Sequence, residues 1–317
     1  IRDRNDYVAR LGSDEFAIFL QNMHSTADLN LLINRFHQQL LAPFIIDEQE
    51  LYISYSIGIA VYPDDAENPE TLMNNANIAR TIAKKAGGNQ YAFFKPEMNE
   101  NAHDMLSLEN DLRKALKNNE IEVFYQPQVD VETLKPTGAE ALVRWRHPTR
   151  GIVSPAVFIP LAESTGLIVD IGKYVLESAI AVTEKWHKAG HKLHIGINIS
   201  GRQFIQSNLM EEVQAIISKI ELDPHFIDLE ITESLAMSNA DSNILTLKGL
   251  KAMGLSISID DFGTGYSSLA YLHSFPIDTI KIDRSFVINL NTQQGEAIAR
   301  TSLAMAESLN LQVVAEG

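Results

Sequence analysis

From about residue 120 onward, apolar and polar residues alternate with a period of two in short runs, and the runs are separated by stretches whose apolar positions recur every three to four residues. A period of two marks a strand with two different faces, and the longer period marks a helix. On this pattern strands are predicted near 121–129, 137–145, 193–200, 226–232, 255–261, 278–283 and 312–316. Helical patterns such as GKYVLESAIAVTEKWHKAG and EAIARTSLAMAESLN fall between most of them. Such alternation predicts an α/β fold with a mostly parallel sheet and crossover helices, either a barrel or a doubly wound sheet. The strand count favours a TIM-like (β/α)8 barrel with its C-terminal end missing, one strand short.

The first ninety-odd residues have another rhythm: strand DEFAIFLQ, helix ADLNLLINRFHQQLL, strand LYISYSIGIAVYP, helix PETLMNNANIARTIAKKAG and a short strand QYAFF. This is a small α+β pattern for which antiparallel pairing is expected. From Pro96 to Asn119 the chain turns polar and helix-prone. The expected organisation is therefore a domain over 1–95, a helical linker over 96–119 and a second domain over 120–317.

Within the second domain the strands share a scheme. In IGINIS the residues Ile195, Ile197 and Ile199 alternate with Gly196, Asn198 and Ser200, and in IDLEIT the residues Ile227, Leu229 and Ile231 alternate with Asp228, Glu230 and Thr232. SISID and TIKID repeat it. If helices cover the outside, the Ile-rich face packs against them and the small and polar face turns inward. The inward face then carries Asn198, Glu230, Asp260 and Lys281 near the C-terminal ends of separate strands, with Glu140 and Glu316 similarly placed. In barrels of this class that end gathers catalytic groups.

Composition narrows the chemistry. The chain has 317 residues, no cysteine and a formal charge of -15. Without thiols there is neither a disulfide framework nor a thiolate metal site, which fits a reducing compartment. The acidic balance argues against a broad electrostatic grip on a nucleic-acid polymer. No run approaches the roughly 18 apolar residues of a membrane span. The expectation is of cytoplasmic domains, and a chain that opens on Ile1 is compatible with a membrane anchor upstream.

Carboxylates converging on one spot repel one another, so either some are protonated or a cation sits among them. Oxygen ligands without Cys or a suitable His cluster point to Mg²⁺ or Mn²⁺ more than to Zn²⁺. The adjacent Asp260 and Asp261 suit two ions, although consecutive acids before a glycine also make solvated turns and helix caps. His187, His191 and His194 lie near lysines at a predicted helix end and read as cations complementing the helix dipole rather than as a zinc site.

EALVRW at 140–145, NIS at 198–200, LEITES at 229–234, DDFGTGYSSL at 260–269, IKIDRSFV at 280–287 and VVAEG at 313–317 resemble the EAL-domain cyclic di-GMP phosphodiesterases. The resemblance covers about 109 to 317 and implies a modified TIM barrel that hydrolyses cyclic di-GMP to linear pGpG. It implies that Glu140, Asn198, Glu230 and Asp260 hold one divalent ion, that Asp260, Asp261 and Glu316 serve a second, and that Lys281 holds the attacking water. Glu233 resembles the residue that props the loop DFGTGYSS, which in this family couples dimer contacts to metal binding. Gln126, Leu142 and Arg144 are similar to positions that touch the substrate, the arginine by its match to phosphate geometry. A homodimer through this domain is expected on the same ground.

RLGSDEFAIFL, SIGIAVYP and ANIARTIAKKAGGNQY resemble the C-terminal portion of a GGDEF diguanylate cyclase domain. Ser13 stands where the second glycine of the signature is expected, Asn77 replaces the usual Asp, and Asp3 stands where the Arg of an RxxD motif should be, three before Asp6. These departures imply a degenerate regulatory or dimerising module, with GTP as a candidate ligand, rather than a working cyclase. The rival reading of the whole chain is a cyclic di-GMP receptor with little turnover. Its signature would be lost ligands, and every ligand up to Glu316 is present.

Overall fold

The structure, a computed structural model, describes residues 6–21, 23, 26–46, 49–206, 208–264 and 272–316. The chain divides into two compact units, Ile1–Leu108 and Glu109–Gly317.

In the first unit β1 (Tyr7–Arg10) pairs antiparallel with β2 (Phe16–Phe19). Helix α1 (Thr26–Leu41) follows, and then β3 (Phe44–Ile46) pairs antiparallel with β4 (Gln49–Leu51). The last pair departs from the antiparallel expectation: β5 (Ser56–Ile59) and β6 (Gln90–Phe93) run parallel. The cause is α2 (Pro69–Lys85), which carries the chain back across the pair as a parallel connection requires. Asn68 caps this helix by accepting from the Thr71 amide at 2.8 Å. Gly58 lets β5 lie directly on α2, because a Cβ there would come 1.9 Å from the Ala76 carbonyl oxygen. Asn77 accepts from Arg80 through Nε at 3.1 Å and Nη2 at 2.7 Å, and Ser13 lies exposed in the turn between β1 and β2. Asp3 lies outside the described residues. Helix α3 (Pro96–Ala115) contains the division between the units.

The second unit opens with a hairpin, β7 (Ile121–Val129) and β8 (Pro136–His147), followed by β9 (Gly151–Val153) folded back on β8. Helices α4 (Pro155–Thr165) and α5 (Ile168–Lys188) lead to β10 (His194–Asn198). Next come α6 (Gly201–Ile205), α7 (Leu209–Ile217), β11 (Ile227–Thr232), α8 (Glu233–Met237), α9 (Ala240–Ala252), β12 (Ser256–Phe262) and β13 (Thr279–Ile282). Helices Arg284–Ile288 and Gln293–Leu309 precede β14 (Gln312–Ala315). The sheet order is β14-β13-β12-β11-β10-β8-β7, with β9 beside β8. Every pair from β8 to β14 on this path is parallel, whereas β7 is antiparallel to β8. Only residues 130–135 join those two strands, too few for a crossover.

The sheet is curled. In the sheet order, β13 and β8 are four steps apart, which in a flat sheet would separate them by about 19 Å at ~4.8 Å per strand. The tips of Lys281 on β13 and Glu140 on β8 are nevertheless 3.2 Å apart. The convex side carries the predicted apolar row, with Ile195, Ile197, Ile227, Leu229, Ile257, Ile259 and Ile280 all buried and α5 and α9 packed on β10 and β12. Trp145 closes the end of β8: its fully buried indole meets Phe158 edge-on at 5.8 Å and His147 at 5.3 Å, and Nε1 donates to Glu120 at 3.0 Å.

We expect Trp145→Ala to cost about 3–5 kcal/mol of unfolding free energy in urea titration, from the cavity and the lost hydrogen bond. Trp145→Phe should cost less than half of that. A loss under about 1 kcal/mol for the alanine variant would mean that the end of β8 is not part of the core.

Candidate functional site

The inward parity of the strands delivers one polar group after another to the concave face. In register, Glu140 of β8 lies opposite Gly196, Asn198 of β10 opposite Glu230, and Glu230 of β11 opposite Ser258. Asp260 sits near the end of β12, Lys281 on β13, and Glu316 directly after β14. Their side chains meet. The Lys281 ammonium lies 2.7 Å from Glu230 Oε2, 2.7 Å from Glu316 Oε1, 3.2 Å from Glu140 Oε2 and 3.3 Å from Asp260 Oδ1. Asn198 Nδ2 donates to Glu140 Oε1 at 2.7 Å.

Lys281 is 1% exposed. Burial on its own would favour the neutral amine, but Glu230, Asp260 and Glu140 outweigh it and hold the pKa above that of an ordinary lysine. The acids respond in the opposite sense. Burial pushes Glu230 well above the usual carboxylate range, with Glu140 and Asp228 adding to the shift and Lys281 opposing it. Burial also raises Glu316, against its hydrogen bond to Lys281, and raises Asp261, with Asp260 adding to the shift. One ammonium against four carboxylates leaves the cluster short of positive charge.

This donor set fits a divalent cation. Glu140, Glu230 and Asp260 each place one carboxylate oxygen within 4.8 Å of the others. Among the described residues Glu230 Oε1 is buried without a hydrogen-bond partner, a costly state for a carboxylate oxygen unless a cation or water meets it. All the donors are hard oxygens, the chemistry preferred by Mg²⁺ and Mn²⁺.

The two adjacent aspartates are separated by the backbone. The register between β12 and β13 shifts between Ile259 and Phe262, and Asp261 adopts a left-handed φ of 54°. Asp260 accepts from the Asp261 amide at 2.9 Å. The bulge therefore keeps Asp260 in the cluster and turns Asp261 onto a different course. Glu233, buried at the start of α8, accepts from the Gly263 amide at 2.8 Å, immediately after the bulge. Residues 265–271 of the loop, with Gly265, and the terminal Gly317 lie outside the described residues.

Gln126, Leu142 and Arg144 do not join the carboxylate cluster but form its border. Gln126 lies opposite Glu140 in the β7–β8 ladder and Leu142 lies opposite Phe124. The Arg144 guanidinium packs over the Phe124 ring at 5.9 Å, and its Nη1 donates to the Val143 carbonyl at 2.8 Å. Phe124 escaped the sequence reading although strand parity contained it, and Asp228 was read there only as a member of the polar row. Phe124 shares the face of Gln126, and Asp228 shares that of Glu230. Burial lifts Asp228 to about 6, its Oδ1 has no partner among the described residues, and its Oδ2 accepts from the Ser258 hydroxyl. The histidines also divide. His187 ends α5 and bonds the Leu193 carbonyl at 3.0 Å, whereas His194 begins β10, where burial and the neighbouring His225 and His187 lower its pKa, so it is not a dipole-complementing cation.

Residues 109–317 match the family described as EAL domain, and residues 1–90 match the family described as diguanylate cyclase, GGDEF domain. The bifunctional diguanylate cyclase/cyclic di-GMP phosphodiesterase MucR of Pseudomonas aeruginosa is 43% identical over 98% of this chain. The cyclic di-GMP phosphodiesterase PdeR of Escherichia coli is 36% identical over 99%. The chain spans 46% of the first relative and 48% of the second, about half of each. Among solved structures, the PaMucR phosphodiesterase in its c-di-GMP complex is 44% identical, covers 67% of this chain and 86% of its own, and superposes with a TM-score of 0.65.

Two outcomes follow from the charge distribution. Lys281→Met strips the buried carboxylates of their cation and should cost about 3–5 kcal/mol in chelator, with part of the loss restored by Mn²⁺ in thermal unfolding. Full stability in chelator would show that the ammonium is not the counter-charge. A carboxyl raised from 3.8 to about 6 binds its proton more tightly in the folded state, so its contribution to stability falls as pH rises through that window. Asp228→Asn should therefore gain on the order of 3 kcal/mol at pH 7.5 and nothing near pH 3.5, read from urea midpoints at the two pH values.

Proposed function

We propose, on the premise that this chain belongs to the EAL domain family, that its second unit hydrolyses cyclic di-GMP to linear pGpG with the aid of divalent cations. The observation that carries the reading is the convergence of Glu140, Glu230, Asp260 and Glu316 on Lys281, with Asn198 bonded to Glu140, at one rim of a curled parallel sheet. In this reading two Mg²⁺ or Mn²⁺ ions bind there, one held by Glu140, Asn198, Glu230 and Asp260 and the other by Asp260, Asp261 and Glu316. When bound, such ions acidify water and offset negative charge on a phosphoryl group.

The residues of the chain do the rest. Lys281 keeps its proton across the working range, so it acts as a hydrogen-bond donor that holds the oxygen of the attacking water and not as a base. Glu316, bonded to Lys281 and made more basic by partial burial, is placed to accept the water proton. The new bond is from water oxygen to phosphorus, the bond broken is from phosphorus to O3′, and the departing O3′ takes up a proton, which leaves a 5′-phosphate and a free 3′-hydroxyl. Gln126, Leu142 and Arg144 border the carboxylates on the β7–β8 side, with Arg144 as the phosphate-matching donor.

The finer assignments belong to the same proposal. Glu233 ties the backbone at Gly263 to the rim and supports a role for the following loop in a homodimer. The first unit, with Ser13, Asp3 and Asn77 in signature positions, acts as a regulatory or dimerising module that takes GTP as an effector without turning it over. The absence of cysteine is in keeping with a cytoplasmic setting for both units.

Incubating the chain with cyclic di-GMP should give pGpG on anion-exchange chromatography with Mn²⁺ or Mg²⁺ and none with EDTA. Glu140→Ala should lower kcat by about 100-fold or more while circular dichroism stays that of the wild type. Wild-type rates in that variant would overturn the ligand assignment, and tight binding without linear product would establish the receptor reading. A rate unchanged by GTP would remove the effector role of the first unit.

A further inference from the structure

Asn198 is the last residue of β10, and the chain has to turn at once. Its Nδ2 is committed to Glu140 Oε1 at 2.7 Å, which leaves Oδ1 as the atom it can offer to a cation. Where that oxygen points is set by the backbone of the next two residues. The Ile199 amide donates to the Glu230 carbonyl at 2.9 Å and so prolongs the ladder with β11. The Ser200 amide donates to Gln203 Oε1 at 3.2 Å, the Ser200 hydroxyl donates to the same oxygen at 2.9 Å, and Ser200 Oγ accepts from the Gln203 amide at 3.3 Å. This reciprocal cap opens α6, which has five residues and is too short to be stable by itself.

Two longer helices hold α6 from outside the site. Arg202 Nη1 donates at 2.6 Å to the Glu163 carbonyl near the end of α4. Gln203, 7% exposed, is pressed on α5 at Gly172, where a Cβ would stand 2.0 Å from Gln203 Nε2 and 2.4 Å from Oε1. Glycine is a poor choice for a helix interior, and at this position it makes room for the carboxamide. We propose that Gln203 is a positioning residue for the metal site, and that Gly172 on α5 and Gln203 on α6 together fix the turn that presents Asn198 to a divalent cation. The inference rests on the reading of Asn198 as a ligand. Gln203 acts through Ser200, two residues beyond Asn198, and not on the ion. With its oxygen removed, the Ser200 amide loses its partner and the turn gains conformations in which Asn198 no longer faces Glu140. Ordering them again on metal binding weakens the affinity.

The test measures Mn²⁺ binding without substrate, by a titration followed through the electron paramagnetic resonance of the free ion. Gln203→Ala, which removes the acceptor, should bind Mn²⁺ about 10-fold more weakly, whereas Gln203→Glu, which keeps a capping oxygen, should stay within about threefold of the wild type. Gly172→Ala should weaken binding as well, because its methyl displaces the carboxamide, and adding it to Gln203→Ala should weaken binding no further. Ile180→Val, on the buried face of α5, is the control: it should lower the melting temperature in EDTA and leave Mn²⁺ affinity unchanged. Wild-type affinity in Gln203→Ala would overturn the proposal, as would a Gly172→Ala loss that adds in full to it. An Ile180→Val loss as large as that of Gln203→Ala would also overturn it, by tracing the effect to general destabilisation. Should Gln203→Ala fail to fold, Gly172→Ala decides alone, and unchanged affinity there overturns the proposal. If the wild type binds no Mn²⁺, or Asn198→Ala binds it as the wild type does, the ligand reading fails and this inference falls with it. Weakened binding by Asn198→Ala with unaltered binding by Gln203→Ala removes the positioning role alone.

Discussion

A single ammonium group, buried at the concave face of the sheet, determines how the second unit is arranged around it. Withdrawing a lysine head from water costs several kcal/mol, and each carboxylate beside it bears a penalty of its own. Lys281 is tolerated because four acids, from β8, β11, β12 and the residue after β14, lie within 3.3 Å. Glu140 can reach it only if the sheet bends, since β8 is four strands away in the sheet order whereas β12 and β14 are direct neighbours of β13. Curvature and charge pairing therefore require each other: a flatter sheet would strand the ammonium, and a neutral residue there would leave the acids to repel.

The other side of the same strands supplies the opposing force. Ile195 and Ile197 on β10, Ile227 and Leu229 on β11 and Ile257 and Ile259 on β12 are all but inaccessible to water. Each buried aliphatic side chain contributes about 1.5–3 kcal/mol, so this row outweighs the cost of the polar one by number. Because side chains alternate, a slip of one residue would carry an isoleucine into the cleft and an acid beneath the helices. Register is consequently protected twice, once by hydrophobic burial and once by charge. It is this double constraint that lets weakly soluble and strongly polar residues share one strand.

The same alternation explains what could be read from the sequence. Glu140, Asn198, Glu230, Asp260, Lys281 and Glu316 were legible because each sits on the inward parity of a strand whose outward parity is apolar, and parity survives folding. Features that depend on neighbours across the sheet were not. The packing of the Arg144 guanidinium over the Phe124 ring arises only when β7 is laid antiparallel against β8. The parallel pairing of β5 and β6 depends on how α2 crosses them, which alternation along either strand does not record. His194 looked like part of a basic helix end, yet the turn after α5 carries the chain into β10 and half-buries the ring. Asp228 was visible as inward-facing, but its raised pKa comes from the depth of its surroundings, which sequence leaves open.

The bulge after Ile259 ties the rim of the sheet to the backbone at Gly263. Asp261 takes a left-handed φ and Gly263 another, at 96°, where a Cβ would stand 3.0 Å from the Phe286 ring. An aspartate can adopt that conformation at modest cost, but a branched or bulky side chain at position 263 would be both strained and crowded. The Gly263 amide then donates to Glu233, whose own helix begins where β11 ends. One strand thus ends by placing Glu230 in the cluster and, three residues later, Glu233 against the backbone that follows Asp260. Movement of that backbone would break a hydrogen bond to a buried carboxylate, a loss of about 1–3 kcal/mol. The position of Asp260 is consequently linked to the backbone at Gly263 through a contact outside the charged cluster.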